Sequence, residues 1–306
     1  ALCLLGEMCD EEIERGIVSY SAAISACEKG RQWQQALWLL REMKEAAPKC
    51  MNTISYNAAI SGCQKGGQWQ QALWLLREMY GAKVDRSAVT YNAAVSACGS
   101  GGQWQRALSL LRECREMDIQ QDAVSFNAAI SACDNGGNWQ QALSLLRELR
   151  DSGLGFDVIG YAACISACRE RGQWKEALWL LSELSNVKLE PDWVSFNAGV
   201  SACEKGGQWE QALDLLSERQ IKMKLDVISY NIGITACEKA GQWQQALELL
   251  MELLDATVEL DVVTYTSGVN ACEKGSQFQQ AACFSSDLGL ASERRMEVLF
   301  HQRLTR

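Results

Sequence analysis

Proline and histidine are nearly missing from this chain: its 306 residues include 2 prolines, and its single histidine is His301. So few helix breakers beside 48% hydrophobic residues predict an ordered, largely helical protein. Cysteine is plentiful at 14, but no C-x-x-C pair occurs, and the closest spacing is Cys164 to Cys168. With one histidine and that spacing, neither a zinc site nor any other cofactor is expected, and free thiols in such number fit a reducing compartment. Long apolar runs are absent too, so no membrane span is predicted, and the opening ALCLLGEM lacks the basic flank and cleavage site of a secretory signal. The phosphate loop G-x-x-x-x-G-K-[ST], a nucleophile elbow and a deaminase metal pattern are all missing, which argues against an enzyme. Acidic neighbours such as Glu11 and Glu12 read as a solvated end, so catalysis would have to come from a further domain or a recruited partner.

What the chain has is repetition. An aromatic residue recurs at Tyr20, Tyr56, Tyr91, Phe126, Tyr161, Phe196, Tyr230 and Tyr265, at spacings of 34 to 36 residues. A second row, Trp33, Trp69, Trp104, Trp139, Trp174, Trp209, Trp243 and Phe278, keeps the same rhythm, as does a third, Cys27, Cys63, Cys98, Cys133, Cys168, Cys203, Cys237 and Cys272. The cysteine row reads as small buried hydrophobes. Eight repeats follow, 17–52, 53–87, 88–122, 123–157, 158–192, 193–226, 227–261 and 262–296. Residues 1–16 match the second half of such a unit (ALCLLGEM against ALWLLREM at 36–43), and 297–306 reads as a capping tail, with Met296, Leu299, Phe300 and Leu304 on one helical face.

Each unit reads as two antiparallel helices. In TISYNAAISGCQKGGQWQQALWLLREM, Tyr56, Ile60 and Cys63 share one face, and after Gly66-Gly67 the positions Trp69, Ala72, Leu73 and Leu76 follow i, i+3, i+4, i+7. Ser or Thr precedes the opening aromatic in seven of eight repeats, Gly160 being the exception, and is expected to cap the first helix; the glycine pair ends it. Pairs this short cannot bury both faces, so each Trp is expected to pack on its own pair and on the neighbouring one. The predicted architecture is all-α, an α-solenoid forming a right-handed superhelix of helix-turn-helix repeats.

The tetratricopeptide pattern, with Trp early in its first helix and Pro near its end, does not hold. What holds is an apolar residue, Ser/Thr, an aromatic, often Asn, then Ala-Ala-Ile-Ser-Ala-Cys-Glu-Lys-Gly, A-L-x-L-L-x-E-M, and a closing Asp. This resembles the pentatricopeptide repeat family, with Trp in place of the usual leucine of the second helix. The resemblance implies single-stranded RNA binding, one base per repeat, the fifth and closing residues facing the base edge. Carried onto this sequence, the base-reading pairs are Ser21/Asn52 for A, Asn57/Ser87 for C, and Asn92/Asp122, Asn127/Asp157, Asn197/Asp226 and Asn231/Asp261 for U. Ala162/Asp192 and Thr266/Met296 stay unread, so the implied target is 5′-A-C-U-U-N-U-U-N. The family also suggests a role in RNA processing or stability, in a mitochondrion or chloroplast, with no DNA ligand.

The residues support this independently, because Asn is a poor helix former whose amide offers both donor and acceptor; the alternative is a local network between repeats. The second residue is β-branched throughout (Val18, Ile54, Val89, Val124, Ile159, Val194, Ile228, Val263), which suits a stiff wedge beside a base or a hydrophobic staple at the helix entrance. The resemblance favours the wedge. Lys29, Lys65, Lys205, Lys239 and Lys274 close first helices, where a cation complements the dipole and could meet phosphate. A net charge of −9 speaks against a polyanion ligand. Pairs such as Arg77/Glu78 and the closing Asp residues account for part of it, while Glu28, Glu204, Glu238 and Glu273 do not. The alternative function is a protein-binding scaffold, favoured by Trp38, Trp74 and Trp179 on the outer side of second helices.

Overall fold

The structure is a computed structural model that describes residues 17–46, 51–155, 157–187, 189–222, 226–255 and 262–274. The half-repeat expected at 1–16, Asp261, and the end of repeat eight with its tail, from 275 on, lie outside them. Among the described residues fifteen helices follow one another. Repeats one to four contribute α1 (Ile17–Lys29) and α2 (Trp33–Ala46), α3 (Thr53–Lys65) and α4 (Trp69–Gly81), α5 (Ala88–Ser100) and α6 (Trp104–Glu116), α7 (Ala123–Asn135) and α8 (Trp139–Asp151). Repeats five to eight contribute α9 (Val158–Glu170) and α10 (Trp174–Asn186), α11 (Trp193–Lys205) and α12 (Trp209–Lys222), α13 (Val227–Ala240) and α14 (Trp243–Asp255), and α15 (Val262–Lys274).

Two compact units form, the first reaching Ser195 and the second starting at Phe196 and taking in Gly172–Trp174. In the first unit, first helices pack on first helices, α1 on α3, α3 on α5, α5 on α7 and α7 on α9, while α2, α4, α6 and α8 lean on the first helix of the following repeat. In the second unit α13 packs on α15 in the same way, with α12 and α14 against the first helices that follow them. This is the solenoid plan, with every repeat buried only against its neighbours.

The repeated rows make the core. The opening aromatics from Tyr20 to Tyr230, the cysteines from Cys27 to Cys237, and the alanines Ala36, Ala72, Ala107, Ala142, Ala177, Ala212 and Ala246 are all buried. Burial pushes the Cys63 thiol up to about 12 and those of Cys98, Cys133, Cys203 and Cys237 up to about 11, so these thiols stay protonated and unreactive.

The glycine pair does two jobs. A Cβ on Gly66 would lie 2.4 Å from Cδ1 of Trp33, and one on Gly101 would lie 2.2 Å from Cδ1 of Trp69. With Trp104 on Gly136 and Trp174 on Gly206, four Trp residues seat on the first glycine of the following repeat, while Arg171 and Ala240 hold that place in repeats five and seven. Gly67 supplies the left-handed turn at φ +69, and the Gln68 N–H closes it on the Cys63 carbonyl at 2.8 Å.

The helix starts differ from the sequence expectation. In repeats two to seven the cap of the first helix is the closing residue of the preceding repeat, not the Ser or Thr before the aromatic. Side-chain oxygens of Asn52, Asp122, Asp157, Asp192 and Asp226 accept the backbone N–H of Ser55, Ser125, Gly160, Ser195 and Ser229 at 2.8 to 3.1 Å. The Ser or Thr instead occupies the third helical position, fully buried or nearly so, as at Ser55, Thr90 and Ser125. From there its oxygen accepts from the cap's own N–H, as Thr90 does from Ser87 at 3.1 Å. The two residues form a reciprocal box.

Candidate nucleic-acid interface

The start of each first helix brings three side chains to one place. The second and fifth residues are i, i+3 neighbours on one face. The closing residue, as cap of the next first helix, lies beside the fifth. All seven second residues whose side chains are described, Val18, Ile54, Val89, Val124, Ile159, Val194 and Ile228, are exposed, between 59% and 81%. That is the opposite of a staple, whose purpose is to be covered; the Val263 side chain lies outside the described set.

Three of the expected pairs bond directly. The Asn92 amide donates to Asp122 at 3.2 Å, Asn127 to Asp157 at 2.7 Å, and Asn197 to both oxygens of Asp226 at 3.4 and 3.5 Å. Ser21 and Asn52 are joined through the Ser55 hydroxyl, and Asn57 and Ser87 through that of Thr90, with links of 2.7 to 3.2 Å. Asn231 accepts from the Thr264 hydroxyl. Ala162 has no polar group to bring to Asp192, Thr266 is exposed, and Met296 lies outside the described residues. The inter-repeat network left open by the sequence therefore exists, and it is built from the very residues assigned to reading.

Burial works to raise the Asp122 carboxyl, but hydrogen bonds from the Ser125 N–H and hydroxyl and from Asn92 outweigh it and hold the group below the usual carboxylate range. Each closing Asp also sits at a helix N-terminus, where negative charge is favoured. Much of the chain's acidity is thus structural.

The glutamates beside the lysines find their partners one repeat away. Lys65 bonds Glu28 at 2.9 Å, Lys274 bonds Glu238 at 3.1 Å, and Lys239 pairs with Glu204. Three of the five lysines expected at phosphate therefore hold carboxylates of the preceding repeat; Lys29 and Lys205 end their helices on the same edge. The second helices carry a parallel ladder, Lys44 with Glu78, Arg115 with Glu148, and Arg150 with Glu183 at 3.0 Å. Glu78 is thus paired with Lys44 rather than with its chain neighbour Arg77. Sequence reasoning missed the closing-residue cap and both ladders; the cap had a signal, the D-x-x-S spacing of Asp122 to Ser125.

Family models match along most of the chain. One described as PPR repeat matches 18–46, 54–84 and 89–119, the pentatricopeptide repeat domain matches 109–154 and 144–205, and the PPR repeat family matches 225–274. The chain belongs to the pentatricopeptide repeat family. Among solved structures, the pentatricopeptide repeat protein PPR10 from maize has a TM-score of 0.68 at 22% identity, covering 94% of this chain and 41% of that one. This likeness shows the pentatricopeptide repeat fold, and the chain spans well under half of that maize protein. PPR10 in complex with an 18-nt psaJ RNA element gives a TM-score of 0.46 at 18% identity, covering 92% and 51%. The PPR domain of Arabidopsis thaliana protein-only RNase P 1 in complex with tRNA gives 0.44 at 12%, covering 67% and 90%. None of the curated proteins matches the chain. Among the described residues no His, Cys, Asp or Glu cluster is placed to hold a metal, and no helix is long and apolar enough to cross a membrane.

Proposed function

We propose that this pentatricopeptide repeat array binds single-stranded RNA, one base per repeat along 5′-A-C-U-U-N-U-U-N, and acts in RNA processing or stability. The observation that carries the reading is the exposed row of β-branched side chains, seven in the described repeats, which in repeats three, four and six stand beside a directly hydrogen-bonded fifth and closing pair. Apolar side chains held out in water at such a period are accounted for if a base covers each of them, while the polar pair meets the base edge. The solved relatives bound to psaJ RNA and to tRNA agree with this ligand class. Chemistry on the RNA would be supplied by a protein partner or by a domain beyond this chain, and a mitochondrion or chloroplast is the compartment that fits the family.

The test is titration of labelled 5′-ACUUAUUA RNA against a scrambled RNA and the DNA version, with the Asn127→Thr variant alongside. Each mismatch at a read base should cost about 1 to 3 kcal/mol, and the variant should shift the fourth base from U toward G. Sequence-indifferent binding, or none at low salt, would refute the reading.

One observation favours the scaffold reading. Between α4 and α6 a groove of about 720 Å³ is lined by Trp69, Trp74, Tyr80 and Met117 with Arg77, Arg86 and Arg106, and its one acid, Glu113, is held by Arg86 at 3.0 Å. An acidic, apolar segment of a partner protein fits this outer groove. Its binding would ignore Asn127 and respond to Trp74→Ala.

A further inference from the structure

In four places the third residue of a repeat hydrogen-bonds the fifth residue of the repeat before it, Ser55 with Ser21, Thr90 with Asn57, Ser229 with Asn197 and Thr264 with Asn231, whereas the Ser125 hydroxyl goes to Asp122. Thr90 takes the Ser87 N–H at 3.1 Å and gives its own proton to Asn57 Oδ1 at 2.7 Å. The Ser229 hydroxyl lies 2.7 Å from Asn197 Oδ1 and is shared with Asp226, and Thr264 donates to Asn231 Oδ1. In repeat six two bonds then fix the amide plane, hydroxyl on the carbonyl and carboxylate on the NH₂, leaving the second N–H for a ligand.

Repeat four lacks this arrangement because its neighbour has Gly160 at the third position. The Asn127 amide donates to Asp157 Oδ2 at 2.7 Å, but its carbonyl is buried and has no hydrogen-bond partner. A Cβ on residue 160 would lie 2.7 Å from Asn127 Oδ1, so the amide has moved into the space a serine would fill. Asn127 is accordingly only 8% exposed, whereas Asn57, Asn92, Asn197 and Asn231 are half-buried.

We propose that the third-residue hydroxyl is a positioning group for base selection by the preceding repeat, and that Gly160 withdraws Asn127 and makes repeat four the most permissive Asn/Asp repeat. This rests on the RNA reading above. A side chain held by one bond and drawn into the core presents its free N–H less firmly than one held by two.

The experiment measures binding of the whole chain to 5′-ACUUAUUA and to RNAs with C at base four, six or seven, for the unmodified protein, Gly160→Ser and Ser229→Ala. The unmodified protein should prefer U less strongly at base four than at base six. Gly160→Ser should raise the preference at base four by about fivefold, the factor one net hydrogen bond gives, and Ser229→Ala should lower that at base six by about as much. Equal preference at bases four and six in the unmodified protein overturns the proposal, as does an unchanged base four in Gly160→Ser while bases six and seven are still read. A purely structural role would raise the melting temperature of Gly160→Ser and leave base four unmoved. If no base is read anywhere, the RNA reading itself has failed; the positioning claim is then decided by the Asn127 side-chain amide NMR signals, which must shift and exchange more slowly in Gly160→Ser, and unshifted signals overturn it.

Discussion

Repeats four and six have the same fifth and closing residues, Asn127/Asp157 and Asn197/Asp226, yet place them in different surroundings. In repeat six the amide carbonyl has a hydroxyl within 2.7 Å, while in repeat four it is buried against Gly160 with no donor. The difference teaches that the surroundings of an Asn/Asp pair are not set by its own repeat alone, because the third residue of the helix that follows lies against the amide.

The largest expected contrast comes from removing the shared carboxylate. Asp157→Ala strips the cap from α9 and leaves the buried Asn127 amide with no partner at either end, which should cost about 2 to 4 kcal/mol. Asp226→Ala leaves Asn197 its hydroxyl contact and should cost about 1 to 2 kcal/mol. Urea unfolding followed by helix content checks both, and equal losses would dissolve the contrast between the repeats. Truncating the asparagines sharpens it: Asn197→Ala should cost about 1 kcal/mol, whereas Asn127→Ala, which also removes an unsatisfied carbonyl, should be near neutral.

A smaller effect is expected with pH. The Asp122 carboxyl is held below its unfolded value, so its contribution is complete above about pH 4, where the unfolded group ionises, and is lost as pH falls through the lower folded value. The melting-temperature difference between the unmodified protein and Asp122→Asn should therefore shrink between pH 5 and acid conditions; a gap that stays constant would show that the charge is not what stabilises. Smallest is Lys65→Ala, which removes an exposed ion pair to Glu28 and should cost about 0.2 to 1 kcal/mol at low salt and almost nothing at high salt. Because such pairs must open before a phosphate can bind, RNA affinity should fall with salt less steeply than the slope of about 3.5 in log K that five free lysines would give.

The architecture was legible because one face of every helix repeats: Tyr56, Ile60 and Cys63 could only be a buried stripe, and each is. The ends of the helices were less so. Ser55 and Asn52 are both good caps, and composition alone does not say which begins the helix; in the fold Asn52 caps it, and Ser55 gives both its N–H and its hydroxyl to the Asn52 oxygen. Arg77 and Glu78 look like partners in the chain, but adjacent helical residues point apart, and Glu78 reaches a cation from the previous repeat instead. Staple and wedge have the same sequence at Val89 and Val124, and what the fold adds is that both side chains stand exposed.

The seat of Trp33, Trp69, Trp104 and Trp174 on a glycine of the following repeat gives the array a direction, since such a repeat docks with its Trp downstream and its glycine upstream. Gain or loss of one whole unit by recombination restores such a joint wherever the unit that follows the break carries the glycine, because the joint is a fixed distance along the chain. The array can therefore lengthen or shorten by single units in descent, each such event changing its length without refolding the rest.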